Sequence, residues 1–153
     1  SGISDPAYRT IHVFRDNDPP QINLVDGTLT VAEHQIVNIG LLSGISITDI
    51  GDYSTDLIRV VLSVSHGYLD FTNDLSDLTS IVFKKDPGNG IARLDFTGTL
   101  ADVNAALSRL TYVSRGNYTG YDTVRITATN LGAADMKGAP TTDQDLITLK
   151  IVA

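Results

Sequence analysis

Residues 94–114 read LDFTGTLADVNAALSRLTYVS. The middle of this stretch breaks a β rhythm. Leu100, Val103, Leu107 and Leu110 recur at helical spacing, and Thr99 with Asp102 three residues on makes a capping-box-like start. The spacing predicts two to three turns of amphipathic helix over about residues 99–109, packed on a sheet through its apolar face. Ala92–Thr97 before it and Leu110–Ser114 after it read as strands.

Outward from this helix the chain is β-type in both directions. Thr10–Phe14, Leu57–Ser65, Tyr68–Thr72, Ile81–Lys84, Thr123–Thr129 and Leu146–Val152 have strand character, as do the segments carrying Ile22, Leu24, Leu29 and Val31. In LIRVVLSVS (57–65), Ile58, Val60, Leu62 and Val64 share one face. Turn signals separate the runs: His66-Gly67, NDLSD at 73, DPGNG at 86 and RGNYTG at 115. Asn89-Gly90 makes DPGNG a hairpin turn between IVFKK and IARLDF. The expectation is an all-β sandwich with one short helix. At 153 residues the chain suits one domain with a real core.

Composition removes several functions. Net charge is -7, and the 11 basic residues are scattered, which argues against a nucleic-acid surface. No apolar run approaches the roughly 20 residues a membrane helix needs. There is no cysteine, hence no disulfide, thiolate zinc site or cysteine nucleophile. Of 18 acidic residues only Glu33 is a glutamate. Aspartate is both a turn former and a compact oxygen ligand, so the bias fits plain β-loops and fits calcium.

The stretch RDNDPPQINL (15–24) poses that choice directly. Asp16, Asn17 and Asp18 stand before two stiffening prolines, as in a polar turn or in a domain joint that gathers carboxylates around a cation. Asp49 and Asp52, in the loop ITDIGD, form a second acidic cluster. The two ends of the chain also match each other. DPAYRTIHVF (5–14) aligns with DQDLITLKIV (143–152): Asp5 with Asp143, Thr10 with Thr148, Ile11 with Leu149, Val13 with Ile151. Such a match is expected of one repeat preceded by the last strand of its neighbour. The expected organisation is 1–14 as the last strand of a preceding repeat, 15–20 as linker and 21–153 as the repeat.

VFRDNDPPQI resembles the interdomain joint of cadherin repeats. VAEH (31–34), ITDIGD (47–52), VLSVSHGYLDF (61–71), LDFTGTLADVNAALSRLTYV (94–113), NYTGYDTVRITATNLG (117–132) and DLITLKIV resemble, in order, the cadherin-like and chondroitin sulfate proteoglycan-type repeats of large surface proteins. The resemblance implies a cadherin-like or immunoglobulin-like β-sandwich used in tandem arrays, extracellular or at the cell surface, for adhesion or spacing. It implies neighbouring repeats as partners and calcium at the joints, with Glu33 at the family's early glutamate position turning toward the joint of Asp16–Asp18. The sequence lacks the DRE motif of true cadherins, and Asn130 stands where many relatives carry an aspartate.

Other chemistry finds little support. His12, His34 and His66 lack metal-ligand spacing. Ser65-His66 is adjacent in sequence without triad geometry, there is no GxSxG, and no acid pair is singled out. Asn117-Tyr118-Thr119 is a sequon on a turn. Tyr53, Tyr68, Tyr112, Tyr118 and Tyr121 read as core and edge packing rather than a sugar platform. The expected function is therefore a non-enzymatic structural or adhesive repeat. The alternative is a ligand-binding module for a carbohydrate or a protein receptor on the same scaffold, with no nucleic acid and no membrane insertion.

Overall fold

A computed structural model describes residues 20–49, 57–84, 91–132 and 141–153. Among them the strands are β1 (Gln21–Asn23), β2 (Thr28–Ala32), β3 (Ser46–Thr48), β4 (Leu57–Ser63), β5 (Gly67–Phe71), β6 (Val82–Phe83), β7 (Arg93–Thr99), β8 (Leu110–Ser114), β9 (Gly120–Gly132) and β10 (Thr141–Val152). Two short helices, α1 (Ile39–Ser43) and α2 (Leu100–Leu107), interrupt them. The expected strand at Thr10–Phe14, residues 15–19 of the expected linker and the DPGNG turn lie outside the described residues.

The fold is an all-β sandwich of immunoglobulin-like type. One layer is a six-stranded sheet in the order β2-β10-β9-β4-β7-β6, and the other is made by the pairs β1-β3 and β5-β8. All these pairings are antiparallel except β2 with β10, which run parallel from Thr28↔Thr148 to Ala32↔Val152. From Pro20 the chain therefore runs first in one layer (β1) and crosses at once to the other (β2).

Alternation builds the core. Ile58, Val60, Leu62 and Val64 all face inward, as their spacing requires, against Leu94, Phe96, Val124, Ile126, Ala128, Ile147, Leu149 and Ile151. The helix α2 is the crossover from β7 in the large sheet to β8 in the opposite layer, and Val103, Ala106 and Leu107 are its buried face. The Thr99 hydroxyl caps it by accepting from Asp102 N. The reciprocal half of the capping box is absent: Asp102 instead accepts from Ser80 N and Ser80 Oγ, and Thr99 N donates to Ser80 Oγ. Ser80 thus takes the place that a longer side chain reaching back to the cap would fill.

Two elements depart from the sequence expectation. The ITDIGD stretch begins as a strand, because Ile47 pairs with Ile22 and is buried. Asn104 of α2 fixes it there, its Oδ1 accepting from Ile47 N and its Nδ2 donating to Ile47 O. The helix α1 was also unforeseen. Asn38 caps it through Oδ1 to Leu41 N and donates Nδ2 to Ser108 O, and Gly44 ends it at φ 64°. Gly40 lets it lie against the end of α2, since a Cβ there would stand 2.0 Å from Leu107 O.

Candidate functional site

The strand β10 sets the axis of the molecule. Near its start Asp143 Oδ2 accepts from Ile22 N, and at its end Val152 O accepts from Glu33 N. Nine residue steps separate these contacts, roughly 30 Å in a strand. The sandwich thus has two poles. Pro20, Gln21, Asp49, Leu57, Asn130 and Gly132 lie at the upstream pole, where the chain enters, and Glu33, His34, His66, Asn117, Gly120 and Ala153 at the downstream pole, where it leaves.

Of the acidic residues expected to bind a cation, Asp49 and Glu33 are described, and they lie at opposite poles. Asp16, Asn17, Asp18 and Asp52 lie outside the described residues. Asp49 sits at the upstream pole, half-buried, and accepts a short hydrogen bond on Oδ2 from Nδ2 of the fully buried Asn130. This bond ties the β3 side to β9 across the two layers. Asn130, where the sequence resemblance sets an aspartate, is therefore a partner of Asp49 in the ITDIGD stretch. Glu33 is at the downstream pole. Asp49 and Glu33 are thus at opposite poles, and the residues Asp16–Asp18 that the expectation sets beside Glu33 are not among the described ones. Among the described residues no group of three or more His, Asp or Glu side chains converges as a metal would need.

The downstream pole is closed by an aspartate that sequence reasoning passed over. Asp122 in β9 is 3% exposed. Its Oδ1 accepts from Ser65 N and Thr123 N at 3.0 and 2.8 Å, and its Oδ2 from His66 N and the Tyr112 hydroxyl at 2.9 and 2.7 Å. A carboxylate offers about four acceptor positions, and this one uses all of them. Burial first, and the Asp122 carboxylate second, push the Tyr112 hydroxyl far above its ordinary range, so it remains a donor. The group joins β9, the β4–β5 turn and β8, hence both layers. Gly67 is required beside it, because a Cβ there would come within 2.5 Å of the Tyr112 ring. The only outward sign was an acid inside the strand GYDTVRIT.

Around this carboxylate lie the histidines and aromatics. The His66 ring stacks on Tyr118 at 4.0 Å and 4°. Tyr118 donates its hydroxyl to Tyr121 O, and Arg115 stands 5.3 Å over the Tyr68 ring. His34, at φ 67°, hydrogen-bonds through Nε2 to Asn117 Oδ1 of the sequon. The expected packing role holds for Tyr112, which is buried, and fails for Tyr121, which is 61% exposed. His12 and Tyr53 lie outside the described residues. Ser65 and His66 meet Asp122 through their backbone N–H groups, an arrangement that holds a turn and does not activate a hydroxyl.

A second buried carboxylate lies on the large sheet. Asp95 of β7 accepts a two-pronged bond from Arg59 of β4 at 2.9 and 2.6 Å, with Arg93 3.6 Å away. The Arg59 hydrogen bond holds Asp95 below the usual carboxylate range.

No family model matches the sequence, and no curated protein matches it. Among solved structures the chain is similar to AggA, the major subunit of aggregative adherence fimbriae type I from Escherichia coli. Identity is 14%, the likeness covers 92% of this chain and 100% of that one, and the TM-score is 0.50. It is also similar to a cohesin module from a Clostridium perfringens family 33 glycoside hydrolase, at 9% identity and a TM-score of 0.42 over 88% of this chain and 97% of that one. The likeness to the fimbrial subunit is one of fold, a β-sandwich with two layers.

Proposed function

We propose that the chain is a structural, adhesive repeat of an extracellular surface protein, joined end to end with neighbouring repeats. The observation that carries this reading is the polar layout. The chain enters beside Asp143 and leaves after Val152, roughly 30 Å apart along one strand, so successive copies would continue in a line. Cadherin-like membership, adhesion and the tandem array are part of the proposal, supported by the sequence resemblance and by a fold shared with a fimbrial subunit.

The domain division follows. Residues 1–14 would be the last strand of a preceding repeat, 15–20 the linker and 21–153 this repeat. The structure gives the matched positions work to do. Asp143, counterpart of Asp5, holds Ile22 N, and Leu149 and Ile151, counterparts of Ile11 and Val13, are buried. Arg9 is the exception, since it aligns in sequence with the buried Ile147.

Calcium belongs at the joints in this reading. Among the described residues no three acidic or histidine side chains converge, so further ligands would have to complete the shell of six to eight oxygens. Asp16, Asn17, Asp18 and Asp52 would complete a site with Asp49 upstream, and Glu33 would serve the next joint. The metal would neutralise clustered carboxylates and fix the angle between domains.

A thermal melt with millimolar calcium and with chelator tests this, on the chain and on Asp16→Ala/Asp18→Ala and Asp49→Ala/Asp52→Ala. At about ten times a typical extracellular dissociation constant of 10⁻⁴ to 10⁻³ M, a filled site adds about 1.4 kcal/mol. The expected result is a rise in melting temperature that one double variant removes. A two-copy chain repeats the test with both joints complete, and a calcium-independent melt there would sink the proposal. One observation favours a ligand-binding reading. A cleft of about 310 Å³ on the outer face of β5-β8 is lined by Ile36, Tyr68, Phe71 and Val113 together with the polar Asp70, Thr72 and Thr111, and Ile36 is 75% exposed.

A further inference from the structure

We infer that the outer face of the six-stranded sheet is a docking surface for an anionic polysaccharide, a polymer carrying sulfate or carboxylate groups. Its use in adhesion rests on the reading above; the binding itself needs neither a second copy nor calcium. The basic residues are scattered in the sequence, but the sheet register gathers them. Seven Lys and Arg lie among the described residues, and five of these, Arg59, Lys84, Arg93, Arg125 and Lys150, project outward from this one sheet. Alternation sends them there. Arg59 stands between the buried Ile58 and Val60, Arg125 between Val124 and Ile126, and Lys150 between Leu149 and Ile151.

Arg93, Ser63 and Arg125 lie side by side on β7, β4 and β9, so the two arginines start roughly 10 Å apart. Lys84 N donates to Asp95 O, which sets Lys84 beside Asp95, and Lys150 lies opposite Tyr121. Asp95 is the one described carboxylate that points out of this face, and Arg59 already holds it with two bonds. Five cations less one carboxylate leave +4 here, in a chain whose net charge is -7. Among the described residues Arg125 and Lys150 have no carboxylate partner.

Hydroxyls fill the space between the charges. Thr123, Thr127, Thr129 and Thr148 face outward, and Thr129 shares a 2.9 Å hydrogen bond with Thr142. A shallow depression of about 460 Å³ there is lined by Arg125, Thr127, Gln144 and Leu146. Asp145 borders it too, and counting that acid leaves the face at +3. Threonine and glutamine side chains suit sugar hydroxyls, and guanidinium forks suit the paired oxygens of sulfate or carboxylate. A protein partner calls for a contiguous apolar centre. The exposed apolar residues Val82, Tyr121 and Leu146 stand on three different strands with threonines and charges between them. A sheet face also offers no helix or ribbon to enter a duplex groove.

The test titrates dextran sulfate, polygalacturonate and neutral dextran into the full chain by calorimetry. At least one polyanion should bind, neutral dextran should not, and the affinity should fall steeply between about 50 and 200 mM salt. The tighter of the two polyanions assigns sulfate or carboxylate as the recognised group. Arg125→Glu and Arg115→Glu change the net charge equally, but Arg115 lies off this face, over Tyr68 in the opposite layer. Both positions are exposed, as is Lys150, so the variants should melt like the parent. Arg125→Glu and Lys150→Glu should each weaken binding about threefold and together about tenfold, with Arg115→Glu within about twofold of the parent. Equal losses at Arg125 and Arg115, no binding of either polyanion at about 50 mM salt, or neutral dextran binding as tightly would overturn the inference. Duplex DNA binding more tightly at matched salt, or self-association that Arg125→Glu abolishes, would overturn it too by putting a different partner on the face. None of these results touches the two-copy calcium melt, so the array reading stands or falls separately.

Discussion

Replacing Tyr112 by phenylalanine removes one oxygen from the buried carboxylate site and leaves the rest in place. The hydroxyl donates to Asp122 Oδ2 at 2.7 Å, and Tyr112 is 1% exposed. A hydrogen bond to a charged group contributes about 1.5–3 kcal/mol. The ring keeps its packing over Gly67, and Asp122 Oδ2 keeps His66 N, so the loss is the bond and little else. The expected destabilisation is therefore about 1.5–3 kcal/mol. For a domain of this length that lowers the melting temperature by roughly 3–12 °C. Urea denaturation should show the loss as a lower midpoint with an unchanged slope. Asp122→Asn supplies the second arm of a double-mutant cycle. With its Nδ2 in the place of Oδ2, the Tyr112 hydroxyl can turn and accept, but His66 N–H loses its acceptor, at about 1–3 kcal/mol. Both substitutions remove the charged form of one shared bond, so their effects should fall short of additive by about 1 kcal/mol. A Tyr112→Phe protein within about 0.5 kcal/mol of the parent, or full additivity with Asp122→Asn, would refute the account.

Gly40→Ala pushes a methyl against Leu107 O, so α1 must lift from α2, with an expected loss of about 1–3 kcal/mol in urea. Asn104→Ala orphans both Ile47 N–H and Ile47 C=O and should cost about 1–3 kcal/mol, with earlier hydrogen exchange at Ile22 and Ile47 as the local sign. Asp95→Asn addresses pH. The folded Asp95 is held below the unfolded value near 3.9, so its ion pair stabilises fully above about pH 4 and fades as pH falls through the lower folded value. The variant should be about 1–3 kcal/mol less stable at pH 7. That is below the figure for a fully buried pair because the Arg59 side chain is 36% exposed. The gap should narrow at pH 3, and a gap as wide at pH 3 as at pH 7 would contradict the direction.

Patterns that repeat were legible in the sequence, and single contacts were not. The alternation of Ile58, Val60, Leu62 and Val64 placed a buried strand correctly, and β8 was expected at Leu110–Ser114, where it lies. The Thr99 start of α2 carried its own signal. The helix α1 and strand β3 did not, because each is held by one asparagine reaching across the fold, Asn38 to Ser108 and Asn104 to Ile47. A five-residue helix has too few turns to show a period, and a three-residue strand too few alternations. Clustered aspartates mark loops, whereas Asp95 and Asp122, isolated in strands, are buried carboxylates, one joining β7 to β4 within the large sheet and the other joining the two layers. An isolated acid in a strand has no neighbours to flag it; only its donors do.

Those donors bear on how the two layers are held together. At the upstream pole the Asp49–Asn130 bond joins the β3 side to β9, and at the downstream pole Asp122 joins β9 to the β4–β5 turn and to β8. Both ties end on β9, the strand that also holds β10 over eleven residues. One central strand is therefore fixed at both ends to the opposite layer, and tilting β9 would require breaking a buried carboxylate site at one pole or a buried amide contact at the other. Loss of either tie should speed hydrogen exchange first at its own pole, with the β9–β10 ladder the last to open.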